Sequence, residues 1–199
     1  MTPRPHGAPK AALLVVDVQN HAVALGPHRG DEVLANIARL VAACRSAGVD
    51  VVYVQHDEPA GSEGAPGTEG WEIHDAVRPA PGETVVRKRH NSAFKDTGLL
   101  RHLRTRGIST LFLVGIQTEY CVDTTCRVAF DHGFRIIMPE ATNTTFDNGD
   151  LSARQIYELY NERIFAGRFA EVPSMADALS MIEVHGAGPG AGAPLSTAW

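Results

Sequence analysis

Three side chains with complementary chemistry stand at the ends of short apolar runs in this sequence. Asp17 follows the run AALLVV, Lys88 ends ETVVRK, and Cys121 comes shortly after STLFLVGI. Runs of this kind are typical of buried parallel strands, whose carboxyl ends meet at one edge of an open sheet. A thiol that meets a carboxylate and an ammonium there could act as an activated nucleophile. The spacing therefore predicts one site formed by these three residues.

Each of the three also has an ordinary structural interpretation when it is taken alone. A free cysteine is most often a small buried hydrophobe, Asp17 could cap a turn, and Lys88 could belong to the solvated basic cluster RKRH. The position of Cys121 is more informative. If Thr118 is the N-cap of a helix, the thiol lies in the first turn, where the helix dipole favours a thiolate.

The apolar pattern along the chain predicts alternating strands and helices. Strands are expected within 11–20 and at 49–55, 83–88, 109–116, 134–140 and 167–172. Helices are expected at 31–47, 99–107, 118–133, 151–164 and 173–184. This alternation indicates one α/β domain, residues 11–185, in which a parallel sheet lies between two layers of helices.

Three further segments lack this periodicity. Residues 57–82 are rich in Gly and Pro, and a loop of that length in a compact domain commonly forms a pocket wall or lid. Residues 1–10 are expected to be a flexible lead, and residues 186–199 a flexible tail rich in Gly, Ala and Pro.

Composition narrows the classes of function. The 199 residues carry a net charge of −5 without a basic block, which argues against nucleic-acid binding. No run approaches the roughly 20 apolar residues of a membrane span, and the N-terminal residues lack the apolar centre of a signal peptide. The three cysteines form no CxxC pair, and Cys44 and Cys126 fall on apolar helical stripes as core residues. These features predict a cytoplasmic protein without nucleic-acid or membrane partners.

Longer segments around the three reactive residues resemble one known family. Their sequences are similar to those of the isochorismatase-like cysteine hydrolases at LLVVDVQN (13–20), VVRKRHNSAF (85–94), LVGIQTEYCVDTTCRVAFDHGFRI (113–136) and ATNTTFD (141–147). The most specific part is the pattern G-x-x-T-x-x-C-V-x-x-T at 115–125, and the resemblance extends over about residues 11–182.

This resemblance implies a three-layer α/β/α fold with a six-stranded parallel sheet in the order 3-2-1-4-5-6. It also implies that Asp17, Lys88 and Cys121 form a catalytic triad and that the peptide bond between Ile116 and Gln117 is cis. The backbone N–H groups of Gln117 and Cys121 would then form an oxyanion hole. Members of the family are commonly oligomeric, so a homo-oligomer, either a dimer or a tetramer, is expected.

The resemblance further implies hydrolysis of an amide, carbamoyl or lactam C–N bond in a small molecule, because members that retain the cysteine cut amide-like bonds. The segments EGWEIH and QTEYCVDTT are most similar to streptothricin-hydrolase-like members. Two alternatives stay open on the same fold. One is isochorismatase-like ether hydrolysis, and the other is a non-catalytic binding or redox-sensing module.

A departure from the metal-binding relatives predicts a site without a metal or cofactor. Nicotinamidases of this family bind a metal through an Asp and closely spaced His residues after the second strand. Here His56 occupies that stretch, and the next His is His74.

Several residues near the predicted strand ends are candidates for contact with a substrate. Glu119 could bind a cationic substrate, although an acidic residue is also expected in the first turn of a helix. The polar and aromatic candidates for the pocket wall are Gln19, His56, Trp71, Phe94 and Tyr120.

Overall fold

The computed structural model describes residues 10–186, which form six strands and six α-helices. The strands are β1 (Lys10–Val16), β2 (Asp50–His56), β3 (Thr84–Lys88), β4 (Ile108–Ile116), β5 (Arg135–Ile137) and β6 (Asn143–Thr144). The helices are α1 (Asn20–Ala24), α2 (Gly30–Ala47), α3 (Leu99–Thr105), α4 (Asp123–Asp131), α5 (Ala153–Glu158) and α6 (Met175–Gly186). Shorter helical segments are a 3-10 turn at Asp75–Val77 and π-helical segments at Thr118–Val122 and Leu159–Phe165.

The predicted lead and tail lie outside the described residues, except at their inner ends. Lys10 is already the first residue of β1, and Gly186 is the last residue of α6.

The strands form one parallel sheet in the order β3-β2-β1-β4-β5, with β6 paired to β4. This confirms the open α/β fold and the order of its first five strands. Val16 at the end of β1 pairs with Val54 of β2 and with Gly115 of β4. His56 at the end of β2 pairs with Lys88 at the end of β3. The carboxyl ends of these strands therefore lie at one edge, as the prediction required.

The far side of the sheet differs from the prediction. The strand expected at 134–140 spans only Arg135–Ile137, because Pro139 has no N–H to donate to a ladder. The sixth strand is Asn143–Thr144, which pairs with β4 beyond the end of β5. The segment 167–172, predicted as that strand, instead makes a single parallel bridge to β5 through Glu171.

Each face of the sheet is covered by its own layer of helices. Along β1, Ala12, Leu14 and Val16 pack towards α3 and α4, whereas the alternate residues pack towards α2 and α6. Cys126 lies in the first of these clusters and Cys44 in the second, both with no exposed surface. The prediction that these two cysteines are core residues is confirmed. Within residues 10–186, no helix combines the length and apolar character needed to cross a membrane.

A close approach between two strands occurs next to the site, where Gly115 of β4 lies against β1. Gly115 has a φ of 136°, and a Cβ atom there would overlap the carbonyl oxygen of Val16. Only glycine therefore lets β4 lie beside β1 at the level of Asp17.

We predict that Gly115→Ala lowers the free energy of unfolding by at least about 3 kcal/mol, because two backbones must move apart. Gly133→Ala is the matched control, since Gly133 has a φ of 82° and open space around its Cα. That variant is expected to lose about 1–2 kcal/mol from backbone strain alone. Urea denaturation measures both values, and equal losses in the two variants would contradict the steric argument.

Candidate active site

Asp17 and Lys88 are positioned by the ends of three neighbouring strands. Asp17 directly follows β1 with a φ of 52°, and its N–H donates to the carbonyl oxygen of Val54 over 3.0 Å. Lys88 ends β3, the edge strand, and pairs in register with His56 of β2. The Asp17 carboxylate therefore lies on one side of β2, and the backbone end of the Lys88 side chain lies on the other.

The Lys88 side chain crosses the end of β2 to reach the residues behind it. Its Nζ atom lies 2.6 Å from Oδ2 of Asp17, 2.8 Å from Nδ1 of His56 and 3.2 Å from Sγ of Cys121. The side chain has no exposed surface, so its ammonium group is paired by protein groups rather than by water. The three residues that the strand ends predicted are therefore in contact through one nitrogen atom.

Burial controls the protonation of these groups. Burial and then the charge of Asp17 raise the pKa of the Cys121 thiol to about 12. Burial also raises the pKa of Asp17, while the nearby Lys88 opposes that rise. The helix terminus favours a thiolate at Cys121, whereas the raised pKa of the thiol opposes it. Loss of water around Sγ therefore favours the protonated thiol at neutral pH.

His56 serves as a neutral acceptor in this arrangement. Burial and the charge of Lys88 lower the pKa of His56. A neutral imidazole can accept the Lys88 hydrogen bond at Nδ1, which places its own hydrogen on Nε2. His56 therefore supports the ammonium group without adding a second positive charge.

The same residues offer three atoms of the kind that bind metals. A carboxylate oxygen of Asp17, a ring nitrogen of His56 and Sγ of Cys121 all lie within 4.8 Å of one another. The ammonium group of Lys88 contacts each of these residues. A cation of the protein itself thus already contacts the three groups that could ligate a metal ion.

Cys121 lies on the π-helical segment Thr118–Val122, which leads into α4. The preceding peptide bond, Ile116–Gln117, is cis, in agreement with the resemblance. Gln117 rather than Thr118 is the N-cap, so Cys121 is one residue further into the helix than expected.

Buried polar side chains fix the start of this segment. Thr118 Oγ1 donates to Asn143 Oδ1 over 2.8 Å, and Asn143 and Asn161 exchange two hydrogen bonds of 2.8 and 3.1 Å. All three residues are buried. Since these bonds tie the segment to β6 and to the second π-helical segment, they restrict where Cys121 can lie.

Glu119 is engaged with its protein neighbours. Gln117 Nε2 donates to one of its carboxylate oxygens over 2.7 Å, and Thr145 Oγ1 donates to the other over 2.6 Å. Glu119 does not line the pocket beside Cys121. The predicted contact between Glu119 and a cationic substrate is therefore not supported.

A pocket of about 320 Å³ opens beside Cys121. Three of the five predicted pocket residues, Gln19, His56 and Tyr120, line it. The Gln19 side chain is already used, because it bonds to His56 N, His56 O and Trp71 O over 2.8, 3.1 and 2.8 Å. The Tyr120 hydroxyl accepts a hydrogen bond from Asn148 over 2.9 Å.

Trp71 and Phe94 lie outside this pocket, and their prediction as contacts with substrate is not supported. The Trp71 indole donates to Asp57 over 3.0 Å and lies under the Arg87 guanidinium. The Phe94 ring is buried against His132 and Phe134. The first stabilises the long loop and the second fills the core.

Other pocket residues were not predicted from the sequence. His21, Glu58, Asn91 and Phe146 all line the pocket. Glu58 follows β2 by two residues and Asn91 follows β3 by three, so the rule of strand ends could have identified them. No comparable signal identifies His21 or Phe146, because their positions depend on the path of connecting segments.

A cysteine, a lysine and an aspartate contact one another at the carboxyl edge of the parallel sheet. These features define an α/β protein with a thiol-centred site. The isochorismatase domain model matches residues 11–172, and the chain belongs to the isochorismatase family.

Individual relatives extend this comparison. Streptothricin hydrolase from Streptomyces noursei is 41% identical over 143 residues, which is 68% of this chain and 50% of that protein. This chain thus spans about half the length of that relative. Ureidoacrylate amidohydrolase RutB from Methylobacterium radiotolerans is 32% identical over 208 residues, with coverage of 85% of this chain and 79% of that protein. The solved structure of N-carbamoylsarcosine amidase from Thermoplasma acidophilum has a TM-score of 0.70 and 27% identity, covering 83% and 96% of the two chains.

We predict that alkylation of Cys121 by iodoacetamide accelerates about tenfold per pH unit between pH 6 and 9, with no plateau. The reason is that the raised pKa leaves only a small thiolate fraction throughout this range. Peptide mass spectrometry over a pH series measures the rate. A plateau below pH 8 would contradict the protonated thiol.

Asp17→Asn provides the matched comparison for that series. Because the charge of Asp17 raises the pKa of Cys121, the neutral variant is expected to be alkylated faster than the unaltered protein at each pH. An unchanged or slower rate in Asp17→Asn would show that the two groups are not electrostatically coupled.

Proposed function

We propose that this protein hydrolyses an amide-like C–N bond in a small molecule through an acyl-enzyme on Cys121. The observation that carries the proposal is the position of the Lys88 ammonium, which contacts both Asp17 and Cys121. A proton can pass from the thiol to the carboxylate while the negative charge stays beside the same cation.

The first half of the reaction follows from this contact. Asp17 accepts the proton of the Cys121 thiol, and its raised pKa brings its basicity closer to what the transfer requires. The resulting thiolate remains paired with Lys88 and attacks the carbonyl carbon of the substrate. As the C–N bond breaks, protonated Asp17 gives its proton to the leaving nitrogen, and a thioester remains on Sγ.

In the second half of the reaction, water replaces the thiol as the nucleophile. Asp17, again a carboxylate, removes a proton from a water molecule that attacks the thioester carbon. Breakage of the C–S bond releases the carboxylic acid, and the proton returns to Sγ. One water molecule is consumed per C–N bond, and Cys121, Asp17 and Lys88 recover their starting states.

The negative oxygen that forms during each attack needs hydrogen-bond donors. We assign this role to the backbone N–H groups of Gln117 and Cys121, which lie on either side of the anchored residue Thr118. Loss of one such donor typically costs about 3–4 kcal/mol of transition-state stabilisation.

Amide-like chemistry is also supported by the relatives. Their names include an amidohydrolase and an amidase, beside streptothricin hydrolase. A redox-sensing role is less well supported, because a thiol with a pKa of about 12 reacts slowly with oxidants at neutral pH. Ether hydrolysis, the other alternative, would leave the contact between Lys88 and Cys121 without a catalytic role.

We predict that a panel of primary amides, ureas, carbamoyl amines and lactams contains substrates from which the protein releases ammonia or amine. Cys121→Ala is expected to abolish release, and Asp17→Asn to lower kcat by about 10²–10⁴-fold as a lost general base. Quantification of released amine, normalised to folded protein, measures these effects.

Cys126→Ala is the matched control for Cys121→Ala, because it removes a thiol that lies in the core away from Lys88. Its folded fraction is expected to keep full activity. Full turnover in Cys121→Ala would disprove the acyl-enzyme, and no release from any compound of the panel would argue against the hydrolase.

A further inference from the structure

The wall of the pocket beside Cys121 has an uneven distribution of charge. Its ionisable residues are Asp17, Glu58, His21, His56 and Cys121, and within residues 10–186 no lysine or arginine lines it. The charge of Asp17 is neutralised by its ion pair with Lys88, whose buried side chain does not line the pocket. Glu58 therefore leaves the pocket with one negative charge that no lysine or arginine of its wall offsets.

The Glu58 carboxylate occupies space that a buried glycine, Gly64, leaves free. A Cβ atom on Gly64 would come within 2.7 Å of Glu58 Cδ and 2.9 Å of both Glu58 Oε2 and His21 Cε1. The Glu58 N–H also donates to Gly64 O over 3.2 Å. The lack of a side chain at position 64 thus provides the space in which the carboxylate and the imidazole meet.

His21 faces this carboxylate with a defined side of its ring. Its Nδ1 atom lies 2.9 Å from Gly70 O, which can only accept, so Nδ1 carries a hydrogen. Nε2 lies 3.4 Å from Glu58 Oε1. The Glu58 carboxylate and the His21 ring therefore contact each other at the pocket wall.

We propose that the pocket selects substrates that carry a positively charged group, and that Glu58, supported by His21, is the residue that recognises it. This proposal rests on the hydrolase function above, since it concerns the substrate of the same site. An ammonium group offers N–H donors to the Glu58 carboxylate, and its charge pairs with that carboxylate. Anionic substrates meet no lysine or arginine in this wall.

The proposal can be tested without turnover by using Cys121 as a reporter of charge. Two thiol reagents of similar size are 2-aminoethyl methanethiosulfonate, an ammonium compound, and 2-sulfonatoethyl methanethiosulfonate, an anion. In each, the thiolate attacks the sulfenyl sulfur and methanesulfinate leaves. Cys44 and Cys126 have no exposed surface, and peptide mass spectrometry assigns the modification to Cys121. The rate at which each reagent modifies Cys121 is divided by the rate at which the same reagent modifies 2-mercaptoethanol. This ratio removes the difference in intrinsic reactivity between the two reagents.

We predict that the normalised rate with the ammonium reagent exceeds that with the sulfonate by about tenfold or more, and that Glu58→Gln reduces this ratio about tenfold. The matched control is Glu63→Gln, which removes the same charge from an exposed residue of the same loop that does not line the pocket. Its ratio is expected to stay unchanged.

The outcomes separate this proposal from the hydrolase function. A ratio near one, a ratio unaffected by Glu58→Gln, an equal fall in Glu63→Gln, or failure of both reagents to modify Cys121 would overturn it. If the amide panel shows no hydrolysis but the ratio behaves as predicted, the charge selection stands and the reaction is wrong. If hydrolysis occurs without charge preference, only the substrate class is wrong.

Discussion

The buried ammonium group of Lys88 is the interaction on which the site depends. A charge without solvent must be paired inside the protein, and here Asp17, His56 and Cys121 supply the partners. Each partner comes from a different part of the chain. The register of the strands and the position of the segment after β4 must therefore agree closely for the ammonium to be satisfied.

This constraint explains several otherwise separate features of the fold. Gly115 has no side chain, so β4 lies against the end of β1. Asn143 and Asn161 hold Thr118, which starts the segment that carries Cys121. Since the ammonium contacts both the thiol and its base, it stabilises the negative charge on either one. In this account the protonated thiol is a resting state from which the base can generate the nucleophile.

The sequence predicted those parts of the site that follow from strand ends. Asp17 and Lys88 end apolar runs, and the parallel sheet brings them together. The sequence shows that Cys121 lies near a helix terminus but not the loss of water around Sγ, which raises the pKa of the thiol. The position of Trp71 outside the pocket could not be predicted, because the path of the long loop depends on contacts such as those with Asp57 and Arg87. The sequence did not predict β6, because a strand of two residues is too short to show a hydrophobic periodicity.

In the proposed hydrolase, Cys121 becomes covalently acylated during turnover. The most direct test of this acylation is an acid quench in the first turnovers with an amide substrate, followed by intact and peptide mass spectrometry. We expect a mass increase equal to the acyl group of the substrate, located on the peptide that contains Cys121 and lost as the substrate is exhausted. Steady amine release with no acyl adduct, or with the adduct on another residue, would contradict it.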